Sequence, residues 1–302
     1  MQPDSAPLIG RQMPSHADHP PPFVLSKLRR FSSASGVEQF LLIGGAAIDP
    51  LVYDQPVIAD WDIVIVDHTF STSAIVRALE RAAFTVGPPR DYQMNLTQSA
   101  RCFHARHPMI GTFDTAIVED LDFFGPFDLE SLSVTYPAGL IVDDHDAIGA
   151  LGAKRAKLIR PIERELPAML AKRLFVLAGK YGVRFGPGSA TASTAHVIRE
   201  RLLDGPPPSV PNQAACLSKL LRGLARAERP SDLLGDAIDS GLVRCAIPPL
   251  DEVVRSPAFA GVVEGSRRPA VADLLAAIHA VDRDGRCASV LEAMEARAWD
   301  QL

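Results

Sequence analysis

Two aspartates one residue apart, Asp60 and Asp62, stand at the head of the β-branched run Ile63-Val64-Ile65-Val66. Such a run reads as a central strand. Side chains alternate along a strand, so both carboxylates point to one face, roughly 7 Å apart along the backbone, and Trp61 points to the other. Two carboxylates on a core strand repel each other and lose hydration. A divalent cation removes that conflict, and Mg²⁺ typically combines one or two protein carboxylates with water and substrate phosphates. Upstream, the apolar run Leu41-Leu42-Ile43 breaks at Gly44-Gly45. A glycine turn that opens a helix offers backbone N–H groups to a phosphate, aided by the helix dipole. The pattern is that of a site for a metal-bound nucleoside triphosphate, with Mg²⁺ or Mn²⁺ as cofactor and an NTP as substrate.

Surrounding elements must hold these groups in place. A helix is expected over about 23–34, a first strand over 40–43, a short helix over 46–52, the aspartate strand over 60–66, and an amphipathic helix over 72–83. Asp49 is read either as a brace for the glycine turn or as a helix-surface charge. A third acid belongs on a neighbouring strand, expected over 116–124; Asp122 is preferred, with Asp120 and Asp114 as alternatives. His104 to His107 reads as a surface loop. Asp143-Asp144-His145-Asp146 reads as a turn into a helix over 148–157, capped by Asp146. Leu166, Leu170, Leu174 and Leu177 follow helical spacing, with an end near Lys180-Tyr181-Gly182. Further helices are expected over 195–203, after Asn212 as cap, and near 232–241, 270–281 and 288–299.

The segment Gly44-Gly45-Ala46-Ala47-Ile48-Asp49-Pro50-Leu51-Val52, followed by Asp60-Trp61-Asp62-Ile63, resembles the head domain of the polymerase-β-like nucleotidyltransferase superfamily, closest to its tRNA CCA-adding and poly(A) polymerase branch. Pro126 to Val134 stands where that branch carries its "DFTINAL" segment. Gly139 to Asp143 with Ile148 to Arg160 resembles its following turn and strand, and Leu166 to Phe185 the first helix of its neck. The likeness spans about residues 23–185. It implies an α/β (α+β) head with a mixed sheet over 23–160, after a flexible arm over 1–22, and an all-helical neck and body domain over 161–302. It further implies two-metal transfer of a nucleoside monophosphate to an acceptor hydroxyl, with Asp60, Asp62 and Asp122 catalytic and metal-binding and Gly44, Gly45 and Asp49 at the nucleotide. Lys172 and Arg173, with Glu163-Arg164-Glu165, stand loosely where the branch has its nucleotide-reading motif. The chain departs from the branch at Ile48, where an arginine is usual, and at Gly125-Pro126, where a basic pair is usual. These departures bear on the acceptor more than on nucleotidyl transfer.

Charge along the 302 residues is uneven. Residues 1–150 carry 9 basic and 19 acidic side chains, 151–230 carry 15 and 5, and 231–302 carry 7 and 12. A basic middle section suits a polyanionic acceptor, and RNA with a tRNA-like 3′ end is expected there, through Lys154, Arg155, Lys219, Arg222 and Arg226. Solvated helix surfaces account for the same charges equally well. An acceptor that is a small molecule or a protein remains open, as does a nucleotide- or RNA-binding module without turnover. With 47% hydrophobic and 22% charged residues, the composition is that of a soluble two-domain protein. The apolar runs fall short of the roughly 20 residues that span a bilayer, and the first residues lack the build of a signal peptide. Cys102, Cys216, Cys245 and Cys287 are widely spaced, as expected of reduced thiols in the cytoplasm.

Overall fold

The computed structural model describes residues 19–54, 56–66, 71–93, 99–118 and 125–299. The chain divides into two compact units, Met1–Gly152 and Ala153–Leu302. The first is an α/β unit with a mixed sheet; the second is helical.

In the first unit, α1 (Pro22–Ser35) starts on a proline, which costs no helical hydrogen bond there, and stops at Gly36 in the left-handed conformation. β1 (Phe40–Ile43) leads into α2 (Gly44–Val52), and β2 (Asp60–Val66) into α3 (Thr72–Arg81). Then come β3 (Thr85–Val86), β4 (Arg90–Gln93), β5 (Ser99–His107), β6 (Gly111–Val118), β7 (Ser133–Tyr136), β8 (Ile141–Val142) and α4 (Ala147–Gly152). The strands order as β3-β5-β6-β2-β1-β7-β8, with β4 beside β5. β2 and β6 run parallel and the other pairs antiparallel, so the sheet is mixed. One face carries Phe40, Trp61, Phe103 and Phe113, all buried, with Phe31 of α1 packed 4.9 Å from Phe113 and 5.3 Å from Phe40. Lys27 of α1 donates to the Ile110 carbonyl in the β5–β6 turn and lies 5.8 Å from the centre of the Trp61 ring. This face anchors the sheet; the opposite face of β2 and β6 is itself apolar and buried at Val64, Ala116 and Val118, and carries its carboxylates only toward the start of the two strands, at Asp60, Asp62 and Asp114.

Three expectations for this unit need correction. His104 to His107 is strand, not loop: β5 and β6 form a hairpin whose turn is held by His107 Nδ1 accepting from the Met109 and Ile110 N–H groups. The strand after it therefore begins at Gly111, earlier than expected, and brings Asp114 into the sheet; Asp120 and Asp122 lie outside the described residues. The cap of α4 is the Asp143 carboxylate, which accepts from the Ala147 and Ile148 N–H groups, while Asp146 sits at φ 58°. That helix ends at Gly152, and Lys154 at φ 50° keeps it from continuing.

The second unit contains α5 (Pro167–Tyr181), α6 (Ala192–Asp204), α7 (Val210–Arg226), α8 (Pro230–Asp239), α9 (Leu242–Ala246), α10 (Asp251–Val254), α11 (Pro257–Glu264), α12 (Val271–Val281) and α13 (Ala288–Trp299). α5 ends at left-handed Gly182 as the sequence indicates. α7 starts at Val210, not after Asn212, because Pro211 is favourable in a first turn and the Ser209 carbonyl accepts from the Asn212 and Gln213 N–H groups. α9 and α10 have 5 and 4 residues, too few to show a 3.6-residue period. The α5–α7 contact is a glycine crossing: a Cβ on Gly179 would run into the Gly223 backbone, so the two helices meet closely there.

Arg184 ties the chain after α5 to α8. Its Nε and Nη2 donate to the Asp236 carboxylate at 2.8 Å each, and the Phe185 N–H adds a third bond at 2.9 Å. Burial alone would raise the Asp236 carboxyl; the Arg184 and backbone hydrogen bonds outweigh it and hold the group below the ordinary range. A depressed carboxylate stabilises the fold above its unfolded value of about 3.9. That contribution disappears as pH falls through the lower folded value. Half of the Arg184 side chain is in water, so Asp236→Asn should cost about 1–2 kcal/mol at pH 7. Urea unfolding of parent and variant across pH 7 to 3 should show that difference shrinking toward zero at the acid end.

Candidate active site

Strand register builds the site. Asp62 pairs with Ile43 of β1 on one side and with Asp114 of β6 on the other; Asp60 pairs with Thr112. Residues paired across a ladder share a face, so Asp60, Asp62 and Asp114 all project from the face opposite Trp61. Along β2, Asp60 is exposed, Trp61 buried and Asp62 half-buried, as alternation requires. Asp114, weighed as a lesser alternative from sequence, is the carboxylate that the described residues place beside Asp62. Its signal was weak because Thr112 and Thr115 interrupt the apolar run around it, with Phe113 its one apolar immediate neighbour.

The glycine pair is the first turn of α2 itself, where the sequence suggested a separate turn ahead of Ala46. Gly44 takes φ +65°, and a Cβ there would lie 2.5 Å from Asp62 Oδ2 and 3.3 Å from its carboxyl carbon. The backbone conformation favours glycine, and any Cβ here would force the Asp62 carboxylate to shift. Ile43, the residue before the helix, provides no side-chain cap, and the first N–H groups of a helix have no intrahelical acceptors. The positive end of α2 is therefore set directly against the Asp62 carboxylate. Pro50 keeps α2 short, and Ala46, Ala47 and Ile48 bury its inner side. Asp49 is 4% exposed, which excludes a helix-surface charge.

β5 adds a residue that the loop reading of this segment hid. His104 lies opposite Asp114, and its Nδ1 is 2.5 Å from Asp114 Oδ1; both side chains are about half exposed. Arg106, exposed, stands opposite Thr112 on the same face. Burial, then the charges of Asp114 and Asp91, push the nearby Cys102 thiol up, so it stays protonated at neutral pH. The available donors are therefore carboxylate oxygens, which suits a hard cation. Among the described residues no group of three or more His, Cys, Asp or Glu side chains is placed to hold a metal ion by itself; Mg²⁺ typically takes one or two protein carboxylates and fills its remaining positions with water and substrate phosphate.

The remaining sequence-selected residues lie in the second unit. Lys154 and Arg155 occupy the stretch after α4, Lys172 and Arg173 are half-buried on α5, and Lys219, Arg222 and Arg226 lie along α7. Arg222 and Arg226 are exposed.

The chain is similar in structure to a CCA-adding enzyme bound to CTP, with a TM-score of 0.56 and 12% identity over 91% of this chain and 67% of that one. A tRNA-processing enzyme complex gives 0.56 and 13% over 88% and 73%. The fold is that of the CCA-adding enzymes. A CCA-adding enzyme bound to ATP gives 0.54 and 12% over 81% of this chain, which spans only 59% of that enzyme's length. No family model matches the chain, and no curated protein matches it.

Replacing Gly44 by Ala should strain the left-handed backbone and push on Asp62. The expected loss is about 1–2 kcal/mol from backbone strain alone. Urea unfolding of Gly44→Ala against Gly45→Ala, whose position carries no positive φ, should show the larger loss at Gly44.

Proposed function

We propose that the protein is a metal-dependent nucleotidyltransferase that moves a nucleoside monophosphate from an NTP to an acceptor hydroxyl, releasing pyrophosphate. The observation that carries this reading is the contact of the Gly44 turn with Asp62, together with the Asp62–Asp114 register. Asp60, Asp62 and Asp114 are the residues that would hold Mg²⁺ or Mn²⁺; Asp122, preferred from sequence, lies outside the described residues. Bound cations supply neutralisation of phosphate charge and a lowered pKa for an acceptor hydroxyl. The chain's own part is positional. Gly44 and Gly45 direct N–H groups at the triphosphate, and Asp49 sits within the same helix as a buried brace. The rigid β2–β6 pair fixes the spacing of the carboxylates.

RNA is the acceptor we favour. The net charge of +10 over residues 151–230 supports it, as do exposed Arg222 and Arg226, one helical turn apart on α7. Lys219, Lys154 and Arg155 extend the same proposal, and Lys172 and Arg173 are proposed at the nucleotide. One observation favours a small-molecule or protein acceptor instead. Ile48, where the CCA-adding branch has an arginine, is 2% exposed and belongs to the core, so α2 lacks that basic group.

Incubation with each of the four labelled NTPs and Mg²⁺, against an RNA pool and separately against lysate protein and small molecules, tests the reading. Label should enter RNA 3′ ends. Asp62→Asn should lower the rate at least about 10³-fold, several kcal/mol of transition-state charge stabilisation being lost, with little change in melting temperature. Transfer to protein or a small molecule would select the other acceptor. Metal-dependent triphosphate binding without turnover on any acceptor would leave only a binding module.

The acceptor assignment makes its own prediction. Reversing both charges in Arg222→Glu/Arg226→Glu should weaken RNA binding and flatten the plot of log affinity against log salt by about 2. A filter-binding titration at several salt concentrations reads both.

A further inference from the structure

We propose that His104 is a positioning residue for the metal site: its imidazole fixes the carboxylate of Asp114 so that one oxygen is held and the other is presented toward Asp62. The inference rests on the nucleotidyltransferase reading above and adds a residue to it. Nδ1 of His104 lies 2.5 Å from Asp114 Oδ1. An ionised carboxylate only accepts, so Nδ1 carries the proton and donates. A carboxylate on a half-exposed strand position otherwise rotates freely about its last torsion, and carboxylates that ligate metals are themselves commonly held by hydrogen bonds.

The backbone makes His104 a firm support. It is locked in the β5–β6 ladder opposite Asp114, and its own carbonyl accepts from the Gly87 N–H at 2.8 Å. β5 is thus paired on both edges at this point. Three residues stand in one row across three strands, Asp62 of β2, Asp114 of β6 and His104 of β5. The donor comes from the far side of Asp114, so it leaves the side toward Asp62 open to a ligand.

The test measures Mn²⁺ binding, followed by the electron paramagnetic resonance of the free ion, in the presence of a non-hydrolysable ATP analogue. His104→Ala should weaken Mn²⁺ binding about 10- to 100-fold. His104→Asn, whose amide nitrogen falls near the place of Nδ1, should recover most of the loss. Asp114→Asn should lose at least as much as His104→Ala, and the double variant no more than Asp114→Asn alone, because His104 acts only through Asp114. Melting temperatures of all variants should stay near the parent value, both side chains being half exposed. Parent-like Mn²⁺ binding by His104→Ala, alongside loss in Asp62→Asn, would overturn the role of His104 and leave the enzyme reading standing. Parent-like binding by Asp62→Asn as well would overturn the enzyme reading itself. Equal weakness of His104→Asn and His104→Ala would also overturn positioning, since the donor would then not be what matters.

Discussion

Crowded negative charge on one sheet face is the constraint around which the first unit is arranged. β2 sets Asp60 and Asp62 on the same side, parallel β6 adds Asp114 next to Asp62, and the start of α2 comes down on the Asp62 carboxylate. Like charges this near destabilise one another unless something positive joins them. The α2 dipole supplies a little, and His104 holds one oxygen of Asp114. Under the function proposed above, a cation and the phosphates that accompany it would supply the rest.

The rest of that unit can be understood as rigid backing. Phe31, Phe40, Phe103 and Phe113 fill the opposite face of the sheet, and Lys27 fastens the β5–β6 turn against α1. Hence the two strands that carry the acids cannot slide by one residue, a slip that would turn every carboxylate into the aromatic core. Gly44 is the tightest approach of the arrangement, because its conformation strains any other residue and a Cβ there would displace the Asp62 carboxylate.

Much of this was legible in the amino-acid sequence where the local signal was strong. The strand 60–66 and its alternation, the glycine pair, the first strand and the α5 stop at Gly182 all follow from patterns of few residues. The third acid did not, because choosing among Asp114, Asp120 and Asp122 depends on register, which is a pairing between distant segments. His104 was hidden for the same reason: His104-Ala-Arg-His before a proline looks like a loop until β6 lies beside it. The helix caps at Asp143 and Ser209 were displaced by a few residues, since several candidate caps stood together. The short helices between 242 and 264 carry too few turns to be seen.

The measurement that bears most directly on the central claim is the melting temperature of the parent and of Asp62→Asn, each with and without Mg²⁺ and a non-hydrolysable triphosphate. A ligand at free concentration L that binds only the native state stabilises it by RT ln(1 + L/Kd) and so raises the melting temperature. The parent should gain several degrees only when metal and triphosphate are both present, and Asp62→Asn should start at or above the parent and gain nothing. An equal gain in both proteins, or no gain in either, would contradict the account.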